Sequence, residues 1–363
     1  MVDIYSIFKH NILIMEQNLC KYFNICGGCQ IQGLGVEEYK NKKLSTLKSI
    51  FEKANLSIEK INDIITLPVG IRRRANLKID FGCNVGFYKH ASNDVVSIKY
   101  CQMLCDEINN VLKYLPIIFK TFVKRSDGSI FITKVENGLT FHFENINITP
   151  LDLPKLKAFA QKFNIIQISS GKEILYESEV PFIIFNNVKI TYPINTFLQP
   201  SKNGEECIVN MLKQFVGTTN ITKVADIFCG LGLFSFYLKD IANEIFAVDC
   251  NEEAIKQINK IARQHNFNIK AKNTDLFSHP IRSEKLNDFD LLVLDPPRDG
   301  AEKQVKEIAS SNVKHIIYVS CNPITFARDA KILIDAGFKI KNIQPIDQFT
   351  YTNHLELIAD IYK

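Results

Sequence analysis

The sequence holds no apolar run of membrane-spanning length, no internal repeat and no low-complexity tract. A membrane-spanning helix is excluded, and no membrane partner is expected. Its start, Met1 to Glu16, is a short mixed run interrupted by Lys9 and His10, with no small-residue cleavage site, so no secretory leader is expected. The expected compartment is the cytoplasm. The 10 cysteines are then expected to be reduced, and a cluster of them fits metal or catalysis better than disulfides. At 363 residues the chain can form two domains, and 46% hydrophobic with 23% charged residues is ordinary for a globular protein. The net charge of +5 permits a nucleic-acid partner without requiring one.

The spacing Cys-x3-Cys-x2-Cys of radical enzymes is also missing, which argues against radical chemistry. What stands near the start is Cys20-x5-Cys26-x2-Cys29, with Gly27 and Gly28 between the last two. Those glycines let the backbone fold tightly enough for two sulfurs to reach one metal centre. A fourth ligand would come from Cys101 or Cys105. Four thiolates suit zinc or an iron–sulfur cluster, and spacing does not choose between them. Unmetallated thiols are the plainer alternative.

The middle of the chain reads as α+β. Helices are predicted over 30–51 and 103–120, and strands over 77–81, 85–88, 130–135, 139–143, 165–168 and 181–185. Arg72, Arg73 and Arg74 suit either phosphates or a solvated basic strand.

From residue 224 the pattern switches to alternating strand and helix, the mark of a doubly wound α/β sheet. A strand over 224–228 meets the turn Cys229-Gly230-Leu231-Gly232, and a second, over 245–248, ends in Asp249, which suits ribose hydroxyls. The third glycine of a dinucleotide fingerprint is absent, with Ser235 in its place, so S-adenosylmethionine fits better than nicotinamide. The run 291–294 leads into Asp295-Pro296-Pro297-Arg298. Enzymes that methylate exocyclic amines carry an aromatic after the two prolines, and Arg298 argues against that chemistry. A buried strand over 316–319 breaks at Ser320-Cys321-Asn322-Pro323, where Pro323 opens a helix. Cys321 thus sits at a carboxyl strand end, where such sheets bind ligands, as a candidate nucleophile or simply a small buried hydrophobe. Glu356 is carried into the apolar last strand, over 357–361. A carboxylate there costs free energy without partners or a task, and a general base is the favoured task. His354 reads as a structural residue.

Cys20-x5-Cys26-Gly27-Gly28-Cys29-Gln30, Phe197-Leu198-Gln199-Pro200, Asp226-Ile227-Phe228-Cys229-Gly230-Leu231-Gly232, Asp295-Pro296-Pro297-Arg298-Asp299-Gly300, Ser320-Cys321-Asn322-Pro323 and His354-Leu355-Glu356 together resemble the RNA uracil-5-methyltransferase family. The resemblance runs from Cys20 to Glu356. It is strongest to members that carry an iron–sulfur cluster and methylate uridine in 23S ribosomal RNA. It implies an α/β fold: an iron–sulfur segment over 1–50, a central α+β RNA-binding domain over 51–192 and a Rossmann-like class I methyltransferase domain over 193–363. It implies a [4Fe–4S] cluster on Cys20, Cys26, Cys29 and Cys101. Cys101 is preferred to Cys105 because the family's fourth cysteine opens a Cys-x-x-Leu before a helix. It implies S-adenosylmethionine contacts from Gln199, Phe228, Asp249 and Asp295, addition of Cys321 to uracil carbon 6, and removal of the carbon 5 proton by Glu356. The expected partner is RNA, and the expected state a monomer with no obligate protein partner.

The chain departs from the family at Leu233, often asparagine, at Asp249, often glutamate, and at Thr350, commonly proline. Only nineteen residues precede Cys20, so the small RNA-binding barrel of the TRAM type found in many relatives is not expected. Transfer RNA is the main alternative substrate. A non-catalytic RNA-binding protein with a structural metal is a second class. A nicotinamide oxidoreductase is a third, and it leaves Cys321, Glu356 and the cysteine cluster unexplained.

Overall fold

The computed structural model describes residues 19–217 and 221–363. The stretch 1–16, read above for a leader, lies outside them. Among the described residues, helix Val36–Lys53 comes first. The short strands β1 (Ile58–Ile61) and β2 (Ile65–Thr66) then pair in parallel with a strand near the other end of the chain, Lys339–Asp347.

The next strands form one seven-stranded sheet. They are β3 (Arg74–Ile79), β4 (Val85–Tyr88), β5 (Val95–Ser97), β6 (Gly128–Val135), β7 (Gly138–Glu144), β8 (Ile165–Ser170) and β9 (Glu173–Glu177), in the order β5-β4-β3-β6-β7-β8-β9. Only β7 and β8 pair in parallel, because helix Leu153–Lys162 makes the crossover between them. Ala75, Leu77 and Ile79 of β3 enter the core, so Arg74, Asn76 and Lys78 stand on the opposite face. A hairpin, β10 (Phe182–Phe185) and β11 (Val188–Thr191), turns through Asn186 and Asn187, both at positive φ as a two-residue turn demands.

Helix Lys202–Val216, capped by the Ser201 hydroxyl, leads into the carboxyl-terminal strands. These are β12 (Ile221–Ile227), β13 (Ala242–Asp249), β14 (Ile269–Asn273), β15 (Leu291–Leu294), β16 (His315–Ser320), β17 (Lys339–Asp347) and β18 (Glu356–Tyr362). With β1 and β2 they make a nine-stranded sheet in the order β1-β17-β18-β16-β15-β12-β13-β14, β2 also pairing with β17. Only β18 runs antiparallel to its neighbours. Helices cover both faces, which is why Leu291–Leu294 is apolar throughout and fully buried. The strand order reverses between β12 and β15, opening a crevice at their carboxyl ends.

The amino-terminal helix is fastened to the loop between β17 and β18. Lys43 and Tyr39 both bond the Asp347 carboxylate, and Tyr351 donates its N–H to the Tyr39 hydroxyl at 2.9 Å. Gln30 and Ile31 donate their N–H groups to the Tyr351 carbonyl, and the Thr350 hydroxyl bonds the Leu67 carbonyl.

Three expectations need correction. The helix predicted over 103–120 is two, Asp106–Leu112 and Leu115–Lys120. Pro116, with no N–H for the preceding turn, permits a fresh start but not a continuous helix. The helix predicted from residue 30 begins at Val36. The arginine triplet is not a solvated strand: β3 starts only at Arg74, and Arg73 is buried against Glu205, which also removes Arg73 from phosphate duty.

Candidate active site

The turn after β12 is shaped by its backbone. Phe228 takes φ +64°, Gly230 donates its N–H to Asp249 Oδ2 at 2.9 Å, and Gly232 (φ +82°) starts helix Leu233–Leu238. Asp249 closes β13, Asp295 follows β15, and Cys321 follows β16, where Asn322 caps helix Pro323–Asp335. Because β18 is antiparallel, its first residue, Glu356, lies at this same edge. His354 precedes the strand, and its carbonyl accepts from Lys43.

Cys321, Glu356, Asp295, Asp249, Phe228 and Gln199 all line one cavity of about 700 Å³, together with Arg298. An amide chain crosses it. Gln199 Nε2 donates to Asp295 Oδ2 at 3.1 Å, and Gln348 Nε2 donates to Gln199 Oε1 at 3.3 Å and to Glu356 Oε2 at 2.7 Å. Burial raises the Glu356 pKa to about 7, against the opposing pull of Gln348 and Arg298. Asp295 is pushed well above the usual carboxyl range, first by burial and then by Glu356. The Cys321 thiol is pushed up to about 12 by burial, with Glu356 and Asp295 adding and Arg298 opposing. Two carboxyls and a thiol in one cavity disfavour each other's charge. The thiol is therefore held in its protonated form at neutral pH.

At the β12–β14 end the cavity offers rings and carboxyls suited to a nucleoside. Phe277 stands 5.6 Å from Phe228, and Asp275 and Phe277 line the wall beside Asp249. Neither was expected. The available signal was position: they follow β14 as Asp249 closes β13. Leu233 makes that wall apolar. Gln348 and Phe349 were missed as well, and nothing in the local sequence marks them.

The cysteines form a second locus. Burial raises Cys26, Cys29 and Cys101, with neighbouring thiols adding: Cys20 for Cys26, Cys101 for Cys29 (to about 12), and Cys20 and Cys26 for Cys101. Cys105, raised by burial to about 11, faces Glu107 and Lys134 instead. Among the described residues no three His, Cys, Asp or Glu side chains stand close enough to hold a metal ion as they are. The surroundings nevertheless fit an anionic group. The buried Arg72 guanidinium faces Cys29 and Cys101, and its Nε and Nη2 have no hydrogen-bond partner among the described residues. Gln32, whose Oε1 accepts the Cys20 N–H, turns its amide nitrogen to the Cys29 thiol and favours its charged form. Buried donors left without acceptors beside four thiols are costly unless something anionic meets them.

Residues 149–359 match the family model described as tRNA (Uracil-5-)-methyltransferase. An uncharacterized RNA methyltransferase of Mesorhizobium japonicum is 31% identical over 97% of this chain and 85% of its own length. A 23S rRNA (uracil(1939)-C(5))-methyltransferase of Shewanella sediminis is 29% identical over 94% of this chain and 80% of its own. Among solved structures, the chain is similar in fold to a tRNA (uracil-54, C5)-methyltransferase of Pyrococcus abyssi in complex with S-adenosyl-L-homocysteine. The TM-score is 0.71 at 21% identity, covering 92% of this chain and 85% of that one. Among the described residues, no helix is long and apolar enough to cross a membrane.

Proposed function

The chain belongs to the RNA uracil-5-methyltransferase family, and from that premise we propose that it methylates a uridine of 23S ribosomal RNA, with Cys321 as nucleophile and Glu356 as base. The family reaction is S-adenosylmethionine-dependent methylation of uracil carbon 5 in RNA. Bound S-adenosylmethionine supplies an electrophilic methyl group. Carbon 5 is a poor nucleophile until Cys321 Sγ, its proton released to solvent, adds to carbon 6 and drives an electron pair toward carbon 5 and the carbonyl oxygen. Arg298, on the cavity wall, would steady that oxyanion. Once carbon 5 carries the methyl group, Glu356 takes the proton left on it, and the electron pair released expels the Cys321 thiolate. Asp295 and Gln199 would position the cofactor or the base, with Phe228 and Asp249 holding the nucleoside end of the cofactor. The base must leave its stack to reach Cys321, which favours loops as targets.

One observation carries this reading: a thiol and a carboxyl from different strands open into a single cavity beside the β12–β15 crevice. The preference for ribosomal RNA is supported by the Shewanella relative and the cysteine locus. Cys20, Cys26, Cys29 and Cys101 would hold a [4Fe–4S] cluster, tying residues 20–29 to the loop at 101 and giving Arg72 its counter-charge. In this reading 1–50 is the iron–sulfur segment, 51–192 the RNA-binding region and 193–363 the methyltransferase region, which borrows β1 and β2. The test offers the protein labelled S-adenosylmethionine with unmodified 23S ribosomal RNA or transfer RNA transcripts, then maps the product. Label on transfer RNA alone would overturn the ribosomal assignment.

A further inference from the structure

Asn76 lines the catalytic cavity and also a second recess, of about 310 Å³. One wall of that recess carries Lys78, Tyr88, Lys89 and His90, and the facing wall is Gly27-Gly28. We propose that this recess holds the single-stranded nucleotides flanking the target uridine, with phosphates on Lys78 and Lys89 and a base on Tyr88. The inference rests on the RNA reading above and adds a named path for the strand.

Continuity is the first argument. Alternation along β3 sets Arg74, Asn76 and Lys78 on one face, and Asn76 lies opposite Phe131, itself in the catalytic wall. A strand leaving the cavity over Asn76 therefore meets the recess without crossing another element.

Charge and stacking surface come next. Among the described residues, the walls of the recess carry two lysines and a histidine and no carboxyl. Tyr88 is 41% exposed, with the Lys78 ammonium 5.6 Å from its ring centre. The same pairing recurs at the cavity mouth, where the Arg74 guanidinium lies 4.9 Å from the ring of Phe197, itself 60% exposed. Exposed rings beside cations, strung along a groove, suit a sequence-tolerant single strand.

The facing wall is held by backbone. Gly27 donates its N–H to the Tyr88 carbonyl at 2.8 Å, and His90 donates to the Ile25 carbonyl at 3.2 Å. A Cβ at Gly27 would stand 3.0 Å from that Tyr88 oxygen, so a side chain there would push the walls apart. The turn between Cys26 and Cys29 is thus also part of a groove.

The experiment compares wild type, Lys78→Ala/Lys89→Ala, Tyr88→Ala and Tyr88→Phe on whichever transcript accepts methyl groups, across a series of salt concentrations. Thermal midpoint and binding of S-adenosylhomocysteine report intact folding. The double lysine variant should raise the KM for RNA about tenfold and flatten its salt dependence by about 0.7 in log–log slope for each phosphate left unneutralised. Tyr88→Ala should raise the KM severalfold and Tyr88→Phe should restore it. A transcript with 4-thiouridine beside the target should cross-link to the peptide containing residues 78–90. If wild type methylates RNA while the variants keep its KM and salt slope, the groove assignment is overturned alone. If wild type neither binds nor methylates RNA, both readings fall.

Discussion

In the nine-stranded sheet the reactive groups hang from strand ends, whereas in the seven-stranded sheet the polar groups stand along the face of β3. The difference follows from how each sheet is covered. Parallel strands with helices on both faces have no free face, so Asp249, Asp295 and Cys321 emerge only where pairing stops. An antiparallel sheet can bury one face and leave the other polar, so Arg74, Asn76 and Lys78 line up at every second residue. Side chains clustered at strand ends suit a single reacting centre. Side chains spaced along a face suit an extended partner whose grip is a sum of small terms.

The largest effect is expected at a strand end. Cys321→Ala should abolish methyl transfer while leaving S-adenosylhomocysteine binding intact by calorimetry; turnover at the wild-type rate would remove the nucleophile assignment. Glu356→Gln should slow turnover on the order of 10³-fold. It should also trap a Cys321–RNA adduct visible on a denaturing gel, and a variant that turns over normally with no adduct would count against the base.

The junction between the two regions is tested next. Lys43→Met leaves the buried Asp347 carboxylate without its cation and should cost roughly 3–5 kcal/mol in urea unfolding. An unchanged midpoint would mean the amino-terminal helix is not fastened to the β17–β18 loop in this way.

A pH profile probes the amide chain. A carboxyl can serve as a base only when ionised, and burial raises the Glu356 pKa to about 7. The rate should therefore fall as pH drops through that value. Gln348→Leu removes a donor that favours the charged form, so the acid limb should move up by about one unit, roughly a fivefold loss at neutral pH. A limb that stays in place would show Gln348 to be mere packing. The smallest effect on chemistry should come from the cysteine locus. Cys101→Ser should lose bound iron and acid-labile sulfide, and Cys105→Ser should keep both, because Cys105 faces Glu107 and Lys134. The reverse pattern would reassign the fourth ligand.

Much of the doubly wound half was legible from short windows. The apolar run of β15 with Asp295-Pro296-Pro297 after it, and the run of β16 with Pro323 closing it, mark both a strand and its end. The short strands β1, β2, β5, β9 and β11 escaped notice, since two to five residues carry too little periodicity. Arg73 looked like surface charge because its partner, Glu205, lies on a helix far along the chain.

Local order thus determined which residues end strands, turn on glycine or carry a thiol, because those properties depend on neighbours a few positions away. Assembly in three dimensions decided the rest. It joined β1 and β2 to β17, set Gln348 between Gln199 and Glu356, and left Arg72 facing thiols from two loops. Burial and hydrogen bonding at those points are set by segments that meet only when the chain has folded, so no window of sequence contains them.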